Sequence, residues 1–149
     1  MTISTVYDSV DWDTIVTEGR VLPARTADSE YFWNGLIEHR LLIQRCTGCQ
    51  TLRHPPGPMC PQCQSLEWDT VDSAGSGSLY SWTVVHPPYA PGFFQPSIVG
   101  LVALDEGVRM VANVIGTPPD ALNVGAQVSV FFADQAEDWT VPQFRLVAG

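Results

Sequence analysis

Apolar positions follow three different rules along the chain. Residues 1–27 show no sustained period: Asp8, Asp11 and Asp13 interrupt the apolar residues, Pro23 breaks the backbone pattern, and only Val21 and Leu22 suggest a short extended piece. This stretch reads as an acidic arm whose order must come from docking on its own domain or on a partner. From Asp28 the spacing becomes helical. Tyr31, Phe32, Gly35 and Leu36 fall on one face, Trp33 and Ile37 widen it, and His39 or Arg40 closes it. Asp28 or Ser29 is placed to cap this helix, Glu30 suits its positive end, and His39 and Arg40 suit its negative end. Leu41–Arg45 then reads as a strand. Pro55, Pro56, Gly57 and Pro58 exclude regular helix or central strand between Thr51 and Met59.

Beyond Glu67 the pattern is that of strands. Short runs rich in Val, Ile, Phe, Tyr and Trp span Glu67–Val71, Gly77–Val85, Ile98–Leu104, Val108–Ile115, Gln127–Phe132 and Phe144–Val147. Asp105-Glu106-Gly107 is a hairpin signal, and Ser73–Ser76 and Thr117–Asp120 break other runs. Five or six strands in this length predict a small closed barrel, because closure removes exposed edges. A sandwich needs about seven strands and ranks second. The predicted organisation is an arm over 1–27, a helix with a cysteine-bearing segment over 28–66, and a β-barrel over 67–149.

Charge and length narrow the function. The 149 residues carry a net charge of −9, with seven arginines and no lysine. Phosphate neutralisation drives nucleic-acid binding, so a chain this acidic should avoid nucleic acid and anionic membranes. No apolar run reaches the roughly 18–20 residues that cross a bilayer. The first residues lack the basic and apolar regions of an export signal. The expectation is a soluble cytoplasmic protein that binds neither nucleic acid nor membrane.

One strong chemical motif stands out. Cys46-Thr47-Gly48-Cys49 and Cys60-Pro61-Gln62-Cys63 hold every cysteine of the chain. Two such knuckles can converge on one tetrahedral ion, as in a four-cysteine zinc ribbon. Disulfides need an oxidising compartment. A redox C-x-x-C needs a βαβ setting. Four thiolates close the tetrahedron and leave no open position for catalysis, so the expected role is a structural Zn2+. A rubredoxin-type iron site shares the ligand set and differs only in the metal.

No catalytic set accompanies the cysteines. There is no lysine for a Schiff base, no nucleophile elbow and no glycine-rich phosphate loop. His86 opens a proline-rich, uncharged loop over 86–96 that contains Tyr89, Phe93 and Phe94. These aromatics either tuck over a barrel end, or dock on a partner, or line a ligand tunnel. Tyr31, Phe32 and Trp33 have two readings, core packing or interface. Arg53 and Arg109 are the candidates for contact with an anionic group of a partner or ligand.

Phe32-Trp33-x-x-Leu36, Leu42-x-Gln44-Arg45-Cys46-x-x-Cys49 and Pro55-Pro56-x-Pro58-x-Cys60-Pro61-x-Cys63 resemble the DUF35 family. So do Gly77-x-Leu79-Tyr80-Ser81-Trp82 through His86, Leu101–Arg109, Ala112-Asn113-x-x-Gly116 and Val124-Gly125-x-x-Val128 through Phe132. The likeness covers about residues 28–147 and leaves the arm outside. It implies a mainly β protein with an N-terminal helix, a rubredoxin-like zinc ribbon and a C-terminal five-stranded OB-fold. It also implies an accessory subunit in lipid metabolism, without activity alone. Its partner would be a thiolase-like or lipid-transfer-protein-type acyl-CoA enzyme, in a complex of two copies of each chain. The partner would perform thiolytic or retro-aldol cleavage, as in steroid side-chain or aromatic acyl-CoA degradation. Only the four cysteines carry over from the family's functional positions. Direct binding of acyl-CoA or its acyl chain is the alternative, and a nucleic-acid-binding OB protein the least favoured reading.

Overall fold

The computed structural model describes residues 9–13, 22–86 and 95–147. They form helix α1 (Glu30–Ile37) and eight strands: β1 (Leu42–Cys46), β2 (Leu52–Arg53), β3 (Trp68–Asp72), β4 (Ser76–Val85), β5 (Ser97–Leu104), β6 (Arg109–Ile115), β7 (Gln127–Ala136) and β8 (Trp139–Leu146). A 3-10 turn at Pro119–Ala121 lies between β6 and β7. β2, β1 and β3 make a small sheet, and β4-β5-β6-β8-β7 close into a barrel. All the pairings are antiparallel except β6 with β8. This is the mainly β architecture expected, with a closed five-stranded OB-type barrel.

The helix is shorter than its apolar period. Ser29 occupies the N-cap position, but its hydroxyl bonds back to Thr26 rather than capping. The helix stops at Ile37, so His39 and Arg40 lie beyond it rather than in its last turn. His39 takes a left-handed φ of 56° and turns the chain towards β1. The two basic side chains meet carboxylates instead of the helix end. His39 Nε2 lies 2.9 Å from Asp134, and Arg40 forks onto Asp72 at 2.9 and 3.0 Å. Gly35 allows the tight α1–β1 approach, since a Cβ there would sit 2.8 Å from Leu42.

β3 changes sheets relative to expectation. The run over 67–71 was expected to open the barrel half, yet Trp68–Asp72 pairs with β1 along its whole length, from Cys46↔Trp68 to Leu42↔Asp72. The pairing is reinforced by Arg45, which forks onto Asp69 at 2.8 and 2.7 Å. The chain then crosses to the barrel in three residues, held by Glu106. Its carboxylate accepts from the Ser73 hydroxyl at 2.7 Å and the Ala74 amide at 3.0 Å.

β8 also begins earlier than the predicted Phe144, and includes Pro142. Pro142 pairs only with Phe132 of β7, because pairing with β6 starts at Gln143. The missing amide therefore falls where no second neighbour asks for it. The expected hairpin turn is present, with Gly107 at φ 101° and its amide donating to Leu104 at 2.9 Å.

The barrel interior holds Leu79, Ile98, Val102, Met110, Val114, Val128 and Phe144. The cluster continues outside the barrel into Phe32 and Leu36 of α1 and Leu41 and Ile43 at β1. Of the arm, residues 9–13 dock on the barrel: the Trp12 carbonyl accepts from Gly116 at 2.8 Å, and Asp13 pairs with Arg145 at 2.9 Å. Among the described residues no helix is long and apolar enough to cross a membrane.

Candidate functional site

The two cysteine knuckles are built alike. In each, the amide of the first cysteine donates to the carbonyl five residues on, Cys46 to Thr51 and Cys60 to Ser65, both at 2.9 Å. In each, the residue after the second cysteine donates back to the first, Gln50 to Cys46 at 2.9 Å and Gln64 to Cys60 at 3.0 Å. Gln50 and Gln64 take left-handed φ values of 65° and 60°, which curl the chain around the sulfurs. The first cysteine of each pair is buried and the second exposed.

All four sulfurs lie within 4.8 Å of one another, with Cys46–Cys63 and Cys49–Cys60 at 3.6 Å. A zinc–sulfur bond of about 2.3 Å in a regular tetrahedron places its sulfurs about 3.8 Å apart, so this cage fits a thiolate-bound ion. The cysteines are free thiols rather than disulfides. Electrostatics point the same way. The Thr51 hydroxyl and amide pull the Cys49 thiol down to about 6, and the Cys49 and Gly48 amides help hold Cys46 low. The Ser65 amide favours the Cys63 thiolate, but the neighbouring cysteine sulfurs and burial outweigh it and push Cys63 up to about 12. Four thiolates repel one another without a cation, and a divalent ion relieves that repulsion.

The other predicted residues scatter. Tyr31 packs its ring 4.9 Å from Trp68, and burial pushes its hydroxyl up to about 12. Phe32 is core, and Trp33 meets Phe32 and Trp139 edge-on. Arg53 is only 8% exposed; it donates to the Gly57 carbonyl at 3.1 Å, while its Nε and Nη1 have no partner. Arg109 lies with its guanidinium 4.0 Å over the Tyr80 ring. Among the described residues neither arginine pairs with a carboxylate. His86 is exposed just after β4, and Tyr89, Phe93 and Phe94 lie outside the described residues.

The structure adds a feature the sequence reading missed. A cleft of about 700 Å³ opens between the barrel's outer face and the helix-and-ribbon side. Phe32, Trp33, His54 and Pro55 form one wall, and Val99, Leu101, Arg109, Val111 and Asn113 form the other. Burial holds His54 near 4, so it is neutral at physiological pH. The signal was present in the sequence. Ile98-Val99 and Leu101-Val102-Ala103-Leu104 are apolar at both parities, so both faces of β5 are apolar.

Comparison with known proteins follows the same division. The model of the ChsH2 rubredoxin-like zinc ribbon domain matches residues 33–69, and that of the ChsH2 C-terminal OB-fold domain matches 70–133. A solved chain of the Ltp2–ChsH2(DUF35) aldolase superposes with a TM-score of 0.80 and 43% identity, over 85% of this chain and 100% of that one. The chain belongs to the DUF35 family. Among curated relatives, a probable enoyl-CoA hydratase alpha subunit of Thermomonospora curvata is 44% identical over 126 residues, 85% of this chain and 40% of its own length. The 3-oxo-4,17-pregnadiene-20-carboxyl-CoA hydratase alpha subunit of Mycobacterium tuberculosis is 36% identical over 138 residues, 93% of this chain and 42% of its own length. The chain thus spans about two-fifths of the length of these two relatives.

Proposed function

We propose that this chain is a non-catalytic accessory subunit that docks on a thiolase-like or lipid-transfer-protein-type acyl-CoA enzyme. The observation that carries this reading is the likeness, over the whole of the compared chain, to a component of the Ltp2–ChsH2(DUF35) aldolase. The chemistry agrees. Every cysteine sits in the metal cage and the chain has no lysine, so a thiol or amine nucleophile must come from the partner. The complex holds two copies of each chain, as expected if the partner is a symmetric dimer. The reaction served is carbon–carbon cleavage of an acyl-CoA, thiolytic or retro-aldol. The pregnadiene-carboxyl-CoA named for the mycobacterial relative favours a steroid side chain over an aromatic acyl group. A cytoplasmic place belongs to the same reading.

In this reading Cys46, Cys49, Cys60 and Cys63 hold one zinc ion whose contribution is structural cross-linking. The Thr51 hydroxyl, 3.1 Å from Cys49 Sγ, steadies one ligand. Metal analysis should find one zinc per chain, whereas a red protein with visible absorbance would identify iron.

The test is co-expression with a thiolase-like enzyme of the same source, followed by size exclusion and a cleavage assay. The expected result is a stoichiometric complex whose activity disappears when this chain is withheld. A fully active partner alone, with this chain eluting as a lone monomer, overturns the proposal.

A further inference from the structure

The arm is held on the barrel by specific polar contacts more than by burial. Gln95, just before β5, meets the backbone of residue 11 twice. Its Nε2 donates to the Asp11 carbonyl at 2.6 Å, and its Oε1 accepts from the Asp11 amide at 3.4 Å. One residue on, the Gly116 amide, just after β6, donates to the Trp12 carbonyl at 2.8 Å. One residue further, Arg145 of β8 donates to the Asp13 carboxylate at 2.9 Å, while its guanidinium lies 4.8 Å from the centre of the Phe131 ring of β7. Main-chain hydrogen bonds for affinity, joined to side-chain contacts for selectivity, are how proteins recognise short peptides.

Residue type matters at each of the three positions. The Asp11 carboxylate accepts from the Asp13 amide at 3.0 Å, closing a turn that presents Asp13 to Arg145. Trp12 packs against the hydrophobic cluster, and Asp13 supplies the charge. The receiving side is shaped to match. Gly116 takes φ 81°, and a Cβ there would lie 2.9 Å from Arg145 Nη1 and 3.2 Å from Asp13 Oδ1, crowding the ion pair. Asp11 and Asp13 are exposed and Trp12 is only half-buried, so the segment is held weakly and can leave. We infer that Gln95, Gly116, Arg145 and Phe131 form a peptide-binding site for an acidic–aromatic–acidic segment, filled in cis by the chain's own Asp11-Trp12-Asp13 and open to an equivalent segment of another protein when the arm lets go. The arm is thereby an intramolecular competitor, and its tether raises its local concentration at the site. The inference goes beyond docking on an acyl-CoA enzyme, and its test needs no such enzyme, so either proposal can fail without the other.

The experiment follows the fluorescence polarisation of a fluorescein-labelled peptide covering residues 7–15 as metal-loaded full chain is added. Trp12→Ala combined with Asp13→Asn loosens the chain's own arm and leaves the barrel surface untouched. This double variant should bind the peptide saturably at one site per chain. The unaltered chain, its site already filled, should bind about tenfold more weakly or worse. Asp13→Asn alone changes only an exposed position and should fall between the two. Adding Arg145→Gln to the double variant should weaken the peptide about fivefold and remove most of the salt dependence of binding. Absence of saturable binding to the double variant and to Asp13→Asn overturns the inference, as does equal binding by these variants and the unaltered chain. Size exclusion tests the source of the native occupant. A monomer at every concentration supports docking in cis, whereas a concentration-dependent dimer that Asp13→Asn dissolves would overturn it in favour of a second copy's arm.

Discussion

The ribbon and the barrel are held in order by different means. The barrel closes on itself and fills its interior with Leu79, Val102, Met110 and Phe144. The ribbon has a two-residue strand, a proline loop and the cysteine cage, and its sheet has only three strands. Two of its buried apolar residues, Leu41 and Ile43, belong to a cluster completed by the barrel and α1. Cohesion in the barrel is spread over many side chains, whereas in the ribbon the proposed zinc would concentrate it in one coordination sphere. The barrel should therefore yield gradually to substitution, and the ribbon should yield at once to loss of the ion.

Metal removal gives the largest expected effect. Structural zinc in isolated ribbons and fingers is worth about 10–16 kcal/mol. Chelation, or Cys60→Ser, should abolish hydrogen-exchange protection in β1–β3 while β5 and β6 keep theirs. Simultaneous loss in both would show one cooperative unit and dissolve the contrast. Next comes Phe144→Ala, which empties a fully buried site in the barrel. It should cost about 3–5 kcal/mol in denaturant unfolding without changing metal content.

A smaller effect sits where the two regions meet. Burial lowers His54 from 6.5 to about 4 in the folded state. Below pH 6.5 the unfolded chain therefore binds a proton that the folded chain refuses, so acidification from about 6.5 to 4 destabilises the fold. The loss should reach about 2–3 kcal/mol. His54→Phe, which keeps a ring beside Phe32, should remove that part of the pH slope in urea titrations at several pH values. The smallest effect has the opposite sign. Gln143 is fully buried and both polar atoms of its amide lack a partner. Gln143→Met should raise stability by about 1 kcal/mol, since an unsatisfied buried amide costs more than an apolar side chain of similar size. A loss instead would reveal that the amide is satisfied by water.

The same division governs what could be read from the sequence. The metal site was legible because its ligands are local: four cysteines in two short repeats carry both identity and geometry. Most strands were legible through alternation, although β7 and β8 run longer than their apolar cores, to Ala136 and from Trp139. The allegiance of β3 was not, because Trp68–Asp72 reads as a strand in either sheet and only β1's open edge decides. The helix end was misplaced because His39 and Arg40 suit a helix terminus as well as they suit Asp134 and Asp72. The cleft escaped because apolar residues on both faces of a strand read as a buried strand, and no local pattern says which face is left open. His39 was placed by helix logic alone. Its stacking on Phe132 and its contact with Asp134 join positions 93 and 95 residues apart.

The crossing of β3 has a practical meaning for exchanging parts between proteins. A ribbon cut out at Leu66 would carry all four cysteines and still leave its third strand behind, baring the backbone of β1 as an adhesive edge. A transplantable unit has to reach past Asp72, to the point where Ser73 and Ala74 are pinned by Glu106 of the β5–β6 turn. That pin belongs to the barrel, so a transplanted ribbon needs a recipient that supplies an equivalent carboxylate.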